Sequence, residues 1–155
     1  MSRAFVKEPD GLEAFEDLPD KLISEHRIIV TADGLAMIEA EASRSAEDMA
    51  AAQAINDRAA IARASRDLRY WSARRATAEV LPPPADVTEV QFGSTVTIAR
   101  DDGRKQTFRI VGEDEANPSK GTLSYVSPLA QALLGKALGD VVVAGNGEAE
   151  IVKIG

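Results

Sequence analysis

The sequence contains no cysteine and a single histidine, His26. The first absence excludes a disulfide framework, a thiolate metal site and a cysteine nucleophile; the second leaves little from which to build a zinc centre or an imidazole acid–base group. Only 5% of the residues are aromatic. No apolar run approaches the roughly 20 residues that span a bilayer, and the opening stretch MSRAFVKEPDGLEAFEDLPD places acids where a secretory signal needs an apolar segment. A cytoplasmic protein without membrane segment, resident cofactor or metal of its own is expected. Basic residues are outnumbered, 18 Lys and Arg against 25 Asp and Glu, for a net charge of −7. That balance argues against autonomous binding to a phosphate backbone, which needs a basic patch that releases counterions. Work on nucleic acid is expected only through a protein partner that holds it.

What is present fits one compact domain with an appendage in 155 residues. Residues 1–30 carry Arg3, Lys7, Lys21 and Arg27 against seven acids and few large apolar side chains, too little to offset their own ordering entropy. They read as a mobile acidic extension, or as a docking arm that uses Phe5, Phe15 and Leu18. From Thr31 to Val80 there is no proline and only Gly34, and Ala, Arg and Glu dominate, which is helix composition. Thr31 is the expected N-cap, with Asp33 near the positive helix end.

Leu35, Ile38, Ala42, Ser45, Met49, Ala52 and Asn56 alternate spacings of three and four, and so do Ile61, Ala64, Leu68, Trp71, Arg75 and Ala78. Two such seams, separated by the turn-forming pair Asn56-Asp57, predict an antiparallel two-helix coiled-coil hairpin over 31–81 with its tip at 56–58. A tip at Glu47-Asp48 is the runner-up and would leave arms of unequal length. The first helix is acidic and the second is arginine-rich, so the two are either complementary across the seam or solvated on their outer faces. Tyr70 and Trp71 are expected to pack in the hairpin.

Leu81-Pro82-Pro83-Pro84 ends the helix, and 82–89 reads as a linker. Beyond it VQFGSTVTIAR, KQTFRIVG, GTLSYVS and EAEIVKI alternate apolar and polar residues between turn signals, which predicts antiparallel strands. Pro128 to Leu138 has one apolar face through Leu129, Leu133, Leu134 and Leu138, a short helix to cover the sheet, with Ser127 as its cap. The acidic turn Glu113-Asp114-Glu115 reads as a solvated loop. The fold class is α+β, with the small C-terminal domain over 90–155.

The strings FGSTVTI, FRIVGEDEA, LSYVSPLAQALLGKALGDVV and EAEIVKI, running over about residues 90–154, resemble the C-terminal FKBP-like domain of the Gre transcription elongation factors, GreA and GreB. The hairpin resembles that family's N-terminal coiled coil, at Val30 to Leu35 for its entry and Arg66 to Trp71 for the closing half of its second helix. The resemblance implies a partner, bacterial RNA polymerase, bound by the globular domain at the rim of the secondary channel while the coiled coil reaches toward the active site. Ser127, Pro128 and Leu129 then fall in the region that faces polymerase. Two acids at the family's tip help hold a catalytic Mg²⁺ and activate water for cleavage of backtracked RNA, a role suited to hard carboxylate ligands.

The family's tip resembles Gly-Asp-Arg-Ser-Glu-Asn, and here the stretch is Asn56-Asp57-Arg58-Ala59-Ala60-Ile61. Asp57 matches the first acid and a contribution to the polymerase Mg²⁺. Ala60 stands where the second acid belongs. Each arm, roughly two dozen residues and about 35 Å long, falls short of the family's by roughly 8 to 11 residues, or about 12 to 16 Å. A divergent, monomeric, short-coiled-coil member is expected, which is not itself an enzyme, modulates elongation, pausing or initiation, and stimulates cleavage weakly or not at all. A true cleavage factor using Asp57 is the alternative. Readings of other classes are a stand-alone regulator of a metabolic protein such as nucleoside diphosphate kinase, and a peptidyl-prolyl isomerase, for which Phe92, Phe108 and Tyr125 are a thin aromatic supply.

Overall fold

The computed structural model of the chain describes residues 18–155. The expected extension over 1–30 lies partly outside these residues, and Phe5 and Phe15 lie wholly outside them. The chain divides into two units: the described part of 1–24 together with 38–76, and 25–37 together with 77–155.

The first unit holds α1 (Ala32–Ala54) from residue 38 onward and α2 (Arg58–Thr77) up to residue 76, while the start of α1 belongs to the second unit. Thr31 caps α1, its Oγ1 accepting the Gly34 amide at 3.0 Å, as its hydroxyl and position suggest. Along α1 the three-four spacing delivers Ile38, Ala42, Ser45 and Ala52 to buried positions. The helix ends where Asn56 takes a left-handed φ of 53°, a conformation asparagine tolerates better than most residues, and the Asp57 amide donates back to the Ala52 carbonyl at 2.9 Å. Asp57 then caps α2, Oδ1 accepting the Ala60 amide at 3.1 Å.

Two details of the helical pair depart from expectation. Arg74, not Arg75, is the buried arginine near the end of α2, only 1% exposed; after Trp71 the stripe advances by three residues rather than four, which lays the Arg74 guanidinium over the Tyr70 ring at 5.9 Å. The second helix also stops at Thr77, short of Leu81. Glu79–Val80 form a short strand (β2) that runs parallel to β1, Ile29–Val30. The Glu79 amide donates to the Ile28 carbonyl at 2.7 Å and the Leu81 amide to the Val30 carbonyl at 3.0 Å. A β-branched residue just before Leu81 and the prolines is better served by a strand partner than by a last helical turn.

The second unit carries a five-stranded sheet in the order β5-β4-β3-β7-β6. Its strands are β3 (Thr95–Arg100), β4 (Lys105–Val111), β5 (Thr122–Ser124), β6 (Val141–Ala144) and β7 (Gly147–Ile154). Three pairings are antiparallel, but β5 lies parallel to β4. The chain leaves β4 through the Gly112–Asn117 turn and a 3-10 turn at Pro118–Lys120, and this crossover brings it back in the same direction, which a tight hairpin cannot do. Strand β6 has no counterpart in the sequence reading. Val141–Ala144 pairs with β7 across a two-residue loop, Gly145-Asn146, with Gly145 at φ 67°.

The covering helix α3 spans Pro128–Leu133 and ends there, because Leu134 turns to φ −58°, ψ 130° and Gly135 takes φ 79°. Leu133 is fully buried, whereas Leu138, expected on the same face, is 64% exposed. Val90, Val96, Ile98, Ile110, Leu123, Ala130, Leu133, Val142, Ala144, Ala149 and Ile151 form the core, with Phe92, Phe108 and Tyr125 packed against it. No helix among the described residues is long and apolar enough to cross a membrane.

Candidate functional site

At the tip, Asn56, Asp57 and Arg58 are all exposed, and the 23 and 20 residues of α1 and α2 correspond to arms of about 34 and 30 Å at 1.5 Å per residue. One Asp57 oxygen is engaged by the Ala60 amide. Ala60 stands one helical turn beyond it and offers a methyl group, with no metal-binding atom. Glu47 and Asp48 lie inside the continuous run of α1, so the chain does not turn there and the runner-up tip falls away. Asp48, Ala51, Ala52, Ile55, Ala60, Arg63, Ala64 and Asp67 line a groove between the two helices. Ile55 beside the tip is 76% exposed. Among the described residues no group of three or more His, Asp or Glu is placed to hold a metal ion.

Charge on α2 is used locally. Arg66 meets Asp67 at 3.4 Å, Arg69 meets Asp20 at 2.6 Å and Lys21 meets Asp67 at 2.7 Å, while Arg44 pairs with Glu41 inside α1. These pairs run within helices or to residues 20 and 21, not across the α1–α2 seam. For Asp67, burial pushes the carboxyl pKa up, but hydrogen bonding and charge from Lys21 and charge from Arg66 outweigh it, and the net shift is downward.

Ser127, Pro128 and Leu129 open α3. Ser127 Oγ accepts the Ala130 amide at 3.3 Å, Pro128 occupies the first turn, and Leu129 packs against the core while Pro128 is exposed. The loop ahead of them is held by Gln131 Nε2, which donates to the Tyr125 carbonyl at 2.7 Å, and by the edge-on contact of Tyr125 with Phe92 at 5.8 Å. Tyr125 also donates its hydroxyl proton to the Arg27 carbonyl. The result is a rigid, partly exposed corner. Ser127→Ala is expected to cost about 1 kcal/mol through the lost cap, read as a small drop in melting temperature with the far-UV spectrum unchanged.

The acidic turn after β4 is not a solvated loop at its last acid. Glu115 accepts from the Thr31 amide at 2.9 Å, from the Thr31 hydroxyl and from the Gly112 amide at 3.1 Å. One carboxylate thereby binds the N-terminus of α1, where the helix dipole favours negative charge. Close approach is secured by glycine: a Cβ on Gly34 would lie 2.1 Å from Glu115 Oε2, and one on Gly112 would lie 2.5 Å from the Ile29 carbonyl oxygen. No local pattern marks this carboxylate in the sequence, since its partner lies 84 residues away.

The family model for the C-terminal part of the transcription elongation factors GreA and GreB matches residues 84–155. GreB of Neisseria meningitidis serogroup B is 39% identical over 95 residues, which cover 57% of this chain and 58% of that protein. The aligned stretch thus spans little more than half of that relative. GreA of Desulfovibrio desulfuricans is 35% identical over 134 residues, 85% of this chain and 79% of that protein. Among solved structures, GreA factor homolog 1 of Thermus thermophilus aligns with a TM-score of 0.40 at 21% identity, covering 84% of this chain and 99% of that one. With the match to the Desulfovibrio protein running through hairpin and sheet alike, the chain belongs to the GreA/GreB transcription elongation factor family.

Proposed function

We propose that this protein binds bacterial RNA polymerase at the rim of the secondary channel and inserts the hairpin, modulating elongation, pausing or initiation without efficient stimulation of transcript cleavage. Membership of the family supports the partner and the site. The globular domain, residues 90–155, supplies docking through the corner at Ser127, Pro128 and Leu129, the segment 82–89 joins it to the hairpin, and residues 56–58 form the inserted tip. It acts as a monomeric regulator in the cytoplasm, where the polymerase works, and it carries no chemistry of its own.

The observation that carries the weak-cleavage reading is the tip: one carboxylate, already accepting an amide, with Ala60 where a second acid would be needed. A lone carboxylate is a poor clamp for a second Mg²⁺ that must also position a water. Arms of about 30 to 34 Å add a deficit of reach. In backtracked complexes of the cognate polymerase, the wild type is expected to bind yet to speed cleavage less than about threefold over polymerase alone, an activation difference of about 0.6 kcal/mol. Asp57→Ala should leave that rate unchanged and cost about 1 kcal/mol of stability as a lost cap. Strong cleavage by the wild type that disappears in Asp57→Ala would overturn the proposal in favour of a true cleavage factor.

A further inference from the structure

The described residues ahead of β1 do not run free past α2. Asp20 Oδ1 takes a hydrogen bond from Arg69 Nε at 2.6 Å, and the Leu18 carbonyl takes another from Arg69 Nη2 at 3.3 Å. Lys21 Nζ sits 2.7 Å from Asp67 and 5.5 Å from the centre of the Tyr70 ring. Asp20, Lys21, Ile23, Arg69, Tyr70 and Ala73 enclose a small hollow between this segment and the helix. All of these contacts lie within the first unit.

The segment is held by charge rather than by burial. Leu22 is 96% exposed and Ile23 47% exposed, so apolar contact adds little beyond the half-buried Leu18 and the part of Ile23 that faces the hollow. The Asp20–Arg69 pair has side-chain exposures of 73% and 48%, and Lys21–Asp67 of 39% and 34%. Pairs so open to solvent are weak and screened by salt. Raising the ionic strength therefore weakens both pairs at once. Along α2, Arg63, Arg66 and Arg69 recur every third residue and so form one inclined ridge on the helix surface, of which the segment engages Arg69. The ridge ends at the Tyr70 ring, which packs edge-on against Trp71 at 4.9 Å.

We propose that residues 18–23 are a built-in strap over a docking surface, the arginine ridge and Tyr70 of α2, whose external occupant is an extended acidic polypeptide segment of the polymerase. The occupant's chemistry is read from the strap itself, which presents a carboxylate and a backbone carbonyl to Arg69. The acids Glu13, Glu16 and Asp17 precede it in the sequence. Strap and partner segment compete for the same guanidinium, so releasing the strap strengthens binding. This inference rests on polymerase being the partner.

The test uses the full chain as wild type, Asp20→Arg, Arg69→Glu and the charge-swapped double variant Asp20→Arg with Arg69→Glu. Cleavage after Lys21 by a lysine-specific protease reports strap release without any partner. It is expected to be about three- to tenfold faster in Asp20→Arg and in wild type at 0.5 M salt, and to return toward the wild-type rate in the double variant. Binding to the cognate polymerase at low salt is expected to be several-fold tighter for Asp20→Arg and several-fold weaker for Arg69→Glu, with the differences shrinking as salt rises. Unchanged cleavage after Lys21 in Asp20→Arg and at high salt overturns the strap. Faster cleavage with unchanged polymerase affinity overturns the docking surface, as does tighter binding of a single-stranded RNA oligonucleotide by Asp20→Arg with no change toward polymerase. If no variant and no wild type binds polymerase, the proposed function fails and the docking surface with it, and the protease result alone then decides the strap.

Discussion

Glu115→Ala is expected to destabilise the protein by about 2–4 kcal/mol, because three donors lose a charged acceptor at once. The Thr31 amide and hydroxyl and the Gly112 amide all point at this carboxylate, and the space around it is shaped so closely that Gly34 has no room for a Cβ. Alanine leaves those donors part-buried and removes the negative charge at the start of α1. Glutamine keeps one acceptor oxygen but turns an NH₂ group toward one or more donors, so Glu115→Gln should lose roughly half as much. Thermal unfolding gives the size of the effect, and hydrogen exchange at the Thr31, Gly34 and Gly112 amides gives its origin. A loss below about 0.5 kcal/mol with unchanged exchange, the range of an ordinary surface substitution, would mean that solvent replaces the carboxylate at no cost.

Ile110→Ala is expected to cost about 3–5 kcal/mol, the upper part of the range for removing a buried branched side chain and leaving a cavity. Ile110 is fully buried on β4, paired in register with Leu123 of β5, and it belongs to the same core as Val96, Ile98 and Leu133, which are themselves fully buried. A core with so few aromatics has no large, adaptable side chain to fall into the space. Leu138→Ala supplies the contrast: this leucine is 64% exposed, and its loss should stay within about 0.5 kcal/mol. Denaturant titration of both variants checks the difference. Equal losses would mean that the apolar interior is not where the sheet places it.

Much of the architecture was legible because its causes are local. The three-four spacing from Leu35 to Ala52, the Asn56-Asp57 break and the Thr31 and Asp57 caps each depend on residues within a turn of one another, and each appears where the spacing puts it. Ser127-Pro128 at the head of α3 is of the same kind. The alanine at position 60 is equally plain, a matter of composition alone.

The misses share another cause. Val141–Ala144 follows the expected helix without a strand signal of its own, yet it pairs with β7 because Gly145-Asn146 reverses the chain and Ala149 and Ile151 offer it a buried neighbour. Glu79–Val80 left the helix because Ile29–Val30 lay ready to pair with them. In both cases a partner distant in the chain, or a turn weighed with its partner, overrode local propensity.

By itself the sequence determined the two-helix hairpin and the α+β class, because periodicity, capping and composition act over a few residues and survive without tertiary context, while the family was carried by the resemblance of whole strings over about residues 90–154. Only the tertiary structure decided that Glu115 serves α1, that β5 runs parallel to β4, that Arg74 is buried in place of Arg75, and that Asp20 and Lys21 close over Arg69, Asp67 and Tyr70. All but the Arg74 burial are pairings across 13 to 84 residues of chain. A carboxylate finds its donors by where the backbone carries it, and no spacing rule encodes a neighbour that far away.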